Sequence, residues 1–143
     1  MWHNIGVQAL ASGLLAQAAK VLVELLTRRR WRPGLFLVNG GMPSSHAATV
    51  TTLTVLVGRS EGLDSTLFSL VLIFSLFVIF EATGLRQEMG KQAQLLNELL
   101  DGGLHGWEAL QGKRLRELMG HTWGEVLGGI VCGLLAAWWW GPR

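Results

Sequence analysis

The sequence predicts an all-α polytopic membrane bundle, with about four transmembrane helices and one or two amphipathic surface helices. Three observations predict it. Four apolar segments, at 5–26, 42–58, 65–80 and 126–140, fill much of the 143 residues. Charged residues make up only 15%, against about 25% in soluble domains. Trp2, Trp31, Trp107, Trp123, Trp138, Trp139 and Trp140 lie near the ends of apolar stretches, where membrane-interface aromatics belong. The length suits one integral membrane domain, 1–143. The net charge of +2 is too small to suggest a nucleic-acid partner. Cys132 is the single cysteine, so no disulfide forms within the chain.

The first segment, 5–26, is interrupted by Lys20 and Glu24, and no basic residues precede it. It therefore reads as a span and not as a signal peptide. The second has no charge but carries Thr49, Thr51, Thr52 and Thr54. The third is the most hydrophobic and continues past Glu81 to Leu85. The fourth is rich in Gly, Leu and Trp, and Gly120, Gly124 and Gly128 recur every four residues before and within it. That spacing permits close helix packing in lipid. The uncharged runs of the last three, 15 to 17 residues, fall short of the roughly 20 of a typical span. The number of segments and their aromatic ends decide for a membrane bundle over a soluble helical domain.

Between the third and fourth segments, Met89, Ala93, Leu96 and Leu100 recur at helical spacing, widened by Leu95 and Leu99. Gly102 and Gly103 end that helix. A second stretch, 107–119, mixes apolar and basic residues. Both read as helices at the membrane surface or against the bundle, the second equally as part of a solvated hairpin. Arg28, Arg29, Arg30 and Arg32 lie in the first connection, and Arg86, Lys91, Lys113, Arg114 and Arg116 in the third. The positive-inside rule puts both connections in the cytoplasm and both termini outside it.

The candidate chemistry centres on residues 40–46, Gly-Gly-Met-Pro-Ser-Ser-His. Two glycines allow a turn, and Pro43 suits the first turn of a helix. Ser44 and Ser45 offer hydroxyls where helix amides lack partners, and His46 adds a titratable ring. The stretch can hold an anion such as phosphate, or it can be an ordinary capped helix with an exposed histidine. The four-span topology brings His46, Arg86, His121 and Glu125 to one end of the bundle, with Lys20 in snorkelling reach. Two histidines and one carboxylate make a weak metal signal. Phosphoryl transfer fits better, because it needs cations, amides, a nucleophile and a general acid. Plainer roles exist for each residue. Glu125 completes a capping box with Thr122 or holds His121 four residues before it. Lys20 pairs with Glu24 or serves a phosphate. Glu81 pairs with Arg86 or supports the site. Arg28 to Arg32 set topology, and His3 and His105 read as terminal and loop histidines.

The stretches Gly-Gly-Met-Pro-Ser-Ser-His at 40–46, Glu-Ala-Thr-Gly-Leu-Arg at 81–86, Gly-Lys-Gln-Ala at 90–93 and Gly-His-Thr-Trp-Gly-Glu-Val at 120–126 resemble the divergent bacterial and plant branch of the type-2 phosphatidic acid phosphatase superfamily, related to acid phosphatase and vanadium-dependent haloperoxidase. Against the superfamily pattern, Ser45 stands in place of a glycine and Glu125 in place of an aspartate. Arg28 follows Lys20 one residue late, and no arginine stands at the third-motif spacing, so Arg86 is the candidate in its place. The resemblance implies a metal-independent lipid phosphate phosphatase without a cofactor, acting on a monoester or diphosphate such as phosphatidylglycerophosphate, phosphatidate or polyprenyl diphosphate. It implies His121 as nucleophile through a phosphohistidine, Glu125 as its orienting group and His46 as the acid on the leaving oxygen. Lys20, Ser44, Ser45 and Arg86 would hold the phosphate. The expected setting is a bacterial inner membrane or a plastid-type membrane, with the site facing the cytoplasm and self-association plausible for so thin a bundle. The alternatives are a non-enzymatic protein that binds or moves anionic lipids and, less fitting for a membrane chain, a vanadate-dependent oxidase-like site.

Overall fold

The computed structural model describes residues 4–29, 31, 34, 36, 41–101 and 121–141, with the side chains of 28, 85–87, 100 and 101 excepted. Five helices follow in order: α1 Ile5–Arg28, α2 Ser45–Glu61, α3 Thr66–Thr83, α4 Leu85–Asp101 and α5 Trp123–Trp140. There is no strand among the described residues. The chain is thus an all-α membrane helix bundle. The expected surface stretch at 107–119, with Gly102 and Gly103, lies outside the described residues.

Local chemistry sets the helix starts. Asn4, Ser44, Ser65 and Thr122 each occupy an N-cap in extended backbone, and each side chain accepts from an amide of the first turn. Gly62, at φ 87°, closes α2, in a conformation a side chain would strain. Gly84 separates α3 from α4. Pro43 precedes the Ser44 cap, outside the first turn where the sequence suggested it. The serine hydroxyl is the better N-cap, and that choice places Pro43 in the connection.

α1, α3 and α5 are long and apolar enough to cross a membrane, with α3 running on into the apolar residues of α4. α2 has 17 residues and four threonines, and it is the helix against which α1, α3 and α5 pack. Its hydroxyls find partners inside the bundle. Thr49 and Thr54 donate to the carbonyls of Ser45 and Val50 at 2.9 and 2.8 Å. Thr52 donates to Gly133 O of α5 at 3.0 Å, and Thr54 meets Ser75 of α3 at 2.8 Å. Polar groups inside a bilayer must be satisfied in this way.

Small residues fill the interior and large ones face outward. Ala9, Ala16, Ala47, Ala48, Ala137, Ser12 and Thr52 are buried, while Leu10, Phe77, Leu127, Trp138 and Trp139 are exposed. Such an apolar exterior would drive association in water. In lipid it is the expected arrangement, because tight packing of small residues replaces the hydrophobic drive. α4 follows the same logic at its contact with α3. It buries Gly90, Ala93 and Asn97 and leaves Met89, Leu95, Leu96 and Leu99 exposed.

α2 and α5 approach each other closely. A carbon added at Gly133 would come within 2.6 Å of Ala48 O and 2.8 Å of Thr51 Cβ. One added at Gly129 would strike Ser44 O and lie 2.8 Å from Ala47 Cβ. The expected series Gly120, Gly124 and Gly128 is not the one used. Gly120 lies outside the described residues, Gly124 faces open space apart from Thr122, and Gly128 meets Met42 and Pro43. The register shifts because Val126, Gly129, Gly133 and Ala137 form the buried stripe of α5. Gly133→Val is expected to cost about 2 kcal/mol by overpacking and to lower the melting temperature in detergent. Gly124→Ala should melt as wild type does. Equal melting of the Gly133→Val and wild-type proteins would contradict the close contact.

Candidate active site

The site forms where the N-termini of α2 and α5 are tied together. Ser44 caps α2 by accepting from Ala47 N at 3.4 Å. Its own amide donates to Glu125 O, in the first turn of α5, at 2.9 Å. Ser44 is fully buried, so its hydroxyl serves the cap and builds the site from beneath. Ser45 opens the helix half-buried, and His46 follows it.

α5 starts with a complete capping box. Thr122 Oγ1 accepts from Glu125 N at 3.3 Å, and Glu125 Oε2 accepts from Thr122 N at 3.2 Å. The same carboxylate oxygen lies 3.0 Å from His121 Nδ1. The two roles open to Glu125 in the sequence are therefore filled together. His121 is further fixed by its amide, which donates to Ala82 O at the end of α3 at 2.9 Å. Only 4% of His121 is exposed.

The two imidazoles meet edge to face, with ring centroids 6.0 Å apart and planes at 61°. With Glu125 on Nδ1, the other ring nitrogen of His121 is the one left for chemistry. Both rings stand at helix N-termini, where the aligned peptide dipoles favour negative charge.

Lys20 completes the cluster from α1. It is 3% exposed, and the carboxylate of Glu125 attracts its ammonium. Its stem runs over Gly41, where an added carbon would lie 3.3 Å from Lys20 Cδ. Gly41 has φ 84°, so both conformation and space ask for glycine there. Lys20, Glu24, Thr27, Gly41, Met42 and Glu125 border a cavity of about 250 Å³. Neither histidine lines that cavity. Glu125 joins the two parts of the site, since it borders the cavity and meets His121, which in turn meets His46.

Glu81 is exposed in the last turn of α3. Arg86 is the second residue of α4, and its side chain lies outside the described residues, as do His3 and His105. Among the described residues, no three His, Cys, Asp or Glu side chains group as metal ligands would. Two contributors escaped the sequence reading. The Ala82 carbonyl anchors His121, and Met42 lines the cavity while touching Gly128. A backbone carbonyl carries no sequence signal, and Met42 was visible only as a member of the 40–46 stretch.

Glu125→Ala removes both the cap and the imidazole anchor, and should cost about 1–2 kcal/mol. Glu125→Gln keeps an acceptor oxygen and should recover most of that loss. Thermal unfolding in detergent compares the two. A glutamine variant no more stable than the alanine variant would show that the oxygen contacts are not stabilising.

A sequence model described as the Divergent PAP2 family matches residues 3–136. The chain is also 37% identical over 139 residues to a protein of Bacillus subtilis (strain 168) described as uncharacterized membrane protein YuiD, a match covering 90% of this chain and 88% of that protein. No solved structure matches. The family match takes in both histidines, Lys20, Glu125 and most of α5, and the chain belongs to the Divergent PAP2 family.

Proposed function

We propose that the protein is a membrane lipid phosphatase that hydrolyses a lipid phosphate monoester or diphosphate. The observation that carries this reading is the meeting of His46 and His121, with Glu125 on Nδ1 of His121 and buried Lys20 beside Glu125. Family membership points the same way. In the proposed reaction, His121 Nδ1–H donates to Glu125, which leaves the Nε2 lone pair to attack phosphorus. The N–P bond forms as the bond from phosphorus to the leaving oxygen breaks. Protonated His46 gives its proton to that oxygen. Neutral His46 then takes a proton from water as the water oxygen attacks phosphorus. The N–P bond breaks, its electron pair returns to Nε2, and inorganic phosphate leaves. Lys20, Arg86 and the first-turn amides at Ser45 and His46 stabilise the phosphoryl oxygens in a poorly solvated site.

We also infer that this end of the bundle faces the cytoplasm, because Arg28 and Arg29 end α1 and Arg86 and Lys91 lie at the start of α4. A second reading rests on the cavity itself. Lys20 borders it and the histidines do not, an arrangement that also suits a protein holding an anionic lipid without cleaving it.

Phosphate release by purified protein over a panel of lipid phosphates separates the two readings. His121→Ala should fall to background, and His46→Ala should lower kcat by about 10²–10⁴. Lipid binding without release in wild type, or full activity in His121→Ala, would reject the hydrolytic reading. For the orientation, a thiol introduced by Arg29→Cys should react with an impermeant reagent only from the cytoplasmic face. Labelling from the opposite face would invert the topology.

A further inference from the structure

α1 and α5 both pack closely on α2 but touch each other far less. Two hollows lie along the seam between them. At one end lies the polar cavity that Lys20 and Glu125 border. Beyond it lies an apolar groove of about 470 Å³, walled by α1 and α5 alone.

The two hollows lie on continuous helix faces. On α1, Ser12, Leu15, Ala16 and Ala19 border the groove, and Lys20, Val23, Glu24 and Thr27 border the polar cavity. These positions recur in the pattern i, i+3, i+4, i+7, which is one stripe of a helix. On α5 the stripe runs from Glu125 in the cavity to Cys132, Ala136 and Trp139 in the groove, at intervals of seven, four and three. The groove is hollow because its floor is small: Ser12 and Ala16 are each only 2% exposed. Its lips are large and open, with Leu15 at 58% and Trp139 at 71% exposure.

We propose that this seam binds the acyl chain of an anionic lipid with a terminal phosphate, with the phosphate at the Lys20 end; the proposal rests on the assignment of that end to a lipid phosphate. Lys20 is the cation bordering the polar cavity, beside Glu24 and Glu125; its ammonium meets the headgroup phosphate, and the apolar groove beyond accepts the chain of the same molecule. Depth agrees with this. From Glu125 to Trp139 α5 rises about 21 Å, more than the roughly 15 Å half-thickness of the hydrocarbon core. A chain that starts beside Lys20 is therefore flanked by groove through its own leaflet. The substrate or ligand reaches the site sideways from the bilayer, between α1 and α5.

The test is photo-crosslinking in phosphatidylcholine nanodiscs. The probe is a non-hydrolysable phosphonate analogue of phosphatidate with a diazirine at mid-chain, and the control is phosphatidylcholine with the same chain. The phosphonate should label residues 12–19 and 132–140 in preference to other lipid-facing surfaces, and the control should not. Ala136→Phe and Ala16→Leu each fill the groove and displace chain methylenes, so each should cut labelling about tenfold. Label spread evenly over α3, equal labelling by the control, or undiminished labelling of both filled variants would overturn the groove. Groove labelling by a wild-type protein that releases no phosphate from phosphatidate would uphold the groove and reject hydrolysis. The wild-type map keeps the result decisive if a filled variant fails to fold.

Discussion

The contact of α5 on α2 is the constraint from which the rest of the structure follows. Gly129 and Gly133 let the α5 backbone lie against Ser44, Ala47, Ala48 and Thr51. Dispersion between closely packed atoms acts there without a hydrophobic drive, since lipid is as apolar as the side chains it would release. The distance suits the Thr52 hydrogen bond to Gly133 O and brings Ser44 N to Glu125 O. At the opposite end, Arg59 donates to Ala137 O at 3.0 Å. The pair is held at both ends and along the middle, and α1 and α3 attach to it.

The cluster of ionisable groups follows from this pairing. Two helix N-termini are brought together, and each presents a histidine close to its cap. Buried charge in a membrane is costly unless partnered. Here one carboxylate serves three neighbours: it completes a helix cap, holds an imidazole and attracts a lysine. Loss of Glu125 therefore acts on stability and electrostatics together, and a conservative replacement is needed to separate them.

Much of this was legible in the sequence because membrane helices announce themselves by composition and their caps by short polar residues. The four apolar segments became helices, and the meeting of His46, His121, Glu125 and Lys20 followed from topology alone. Register was harder. Gly120, Gly124 and Gly128 have the right spacing, yet the packed stripe runs through Gly129 and Gly133, because spacing fixes a face and only the partner helix fixes which one. Ser44 read as a ligand for phosphate, and the structure shows its hydroxyl as the buried cap of α2. Whether a hydroxyl points at solvent or at an amide is a matter of a few ångströms of backbone, which residue type does not encode. The Ala82 carbonyl could not be found at all, since every residue has one.

The pairing of α2 with α5 also has a consequence for biosynthesis. Its contacts join residues about eighty positions apart, such as Ser44 and Glu125, and α5 is translated after α1 to α4. Until it emerges, α2 lacks the partner for Thr52 and for the amide of Ser44. A short, threonine-rich helix must therefore remain in the nascent state with α1 and α3 as its neighbours among the described helices. The pairing is completed only after the ribosome has made α5, so the core of the bundle forms late in synthesis. A chain stopped before α5 would retain membrane-embedded helices with no native centre, a form suited to recognition by membrane quality-control proteases.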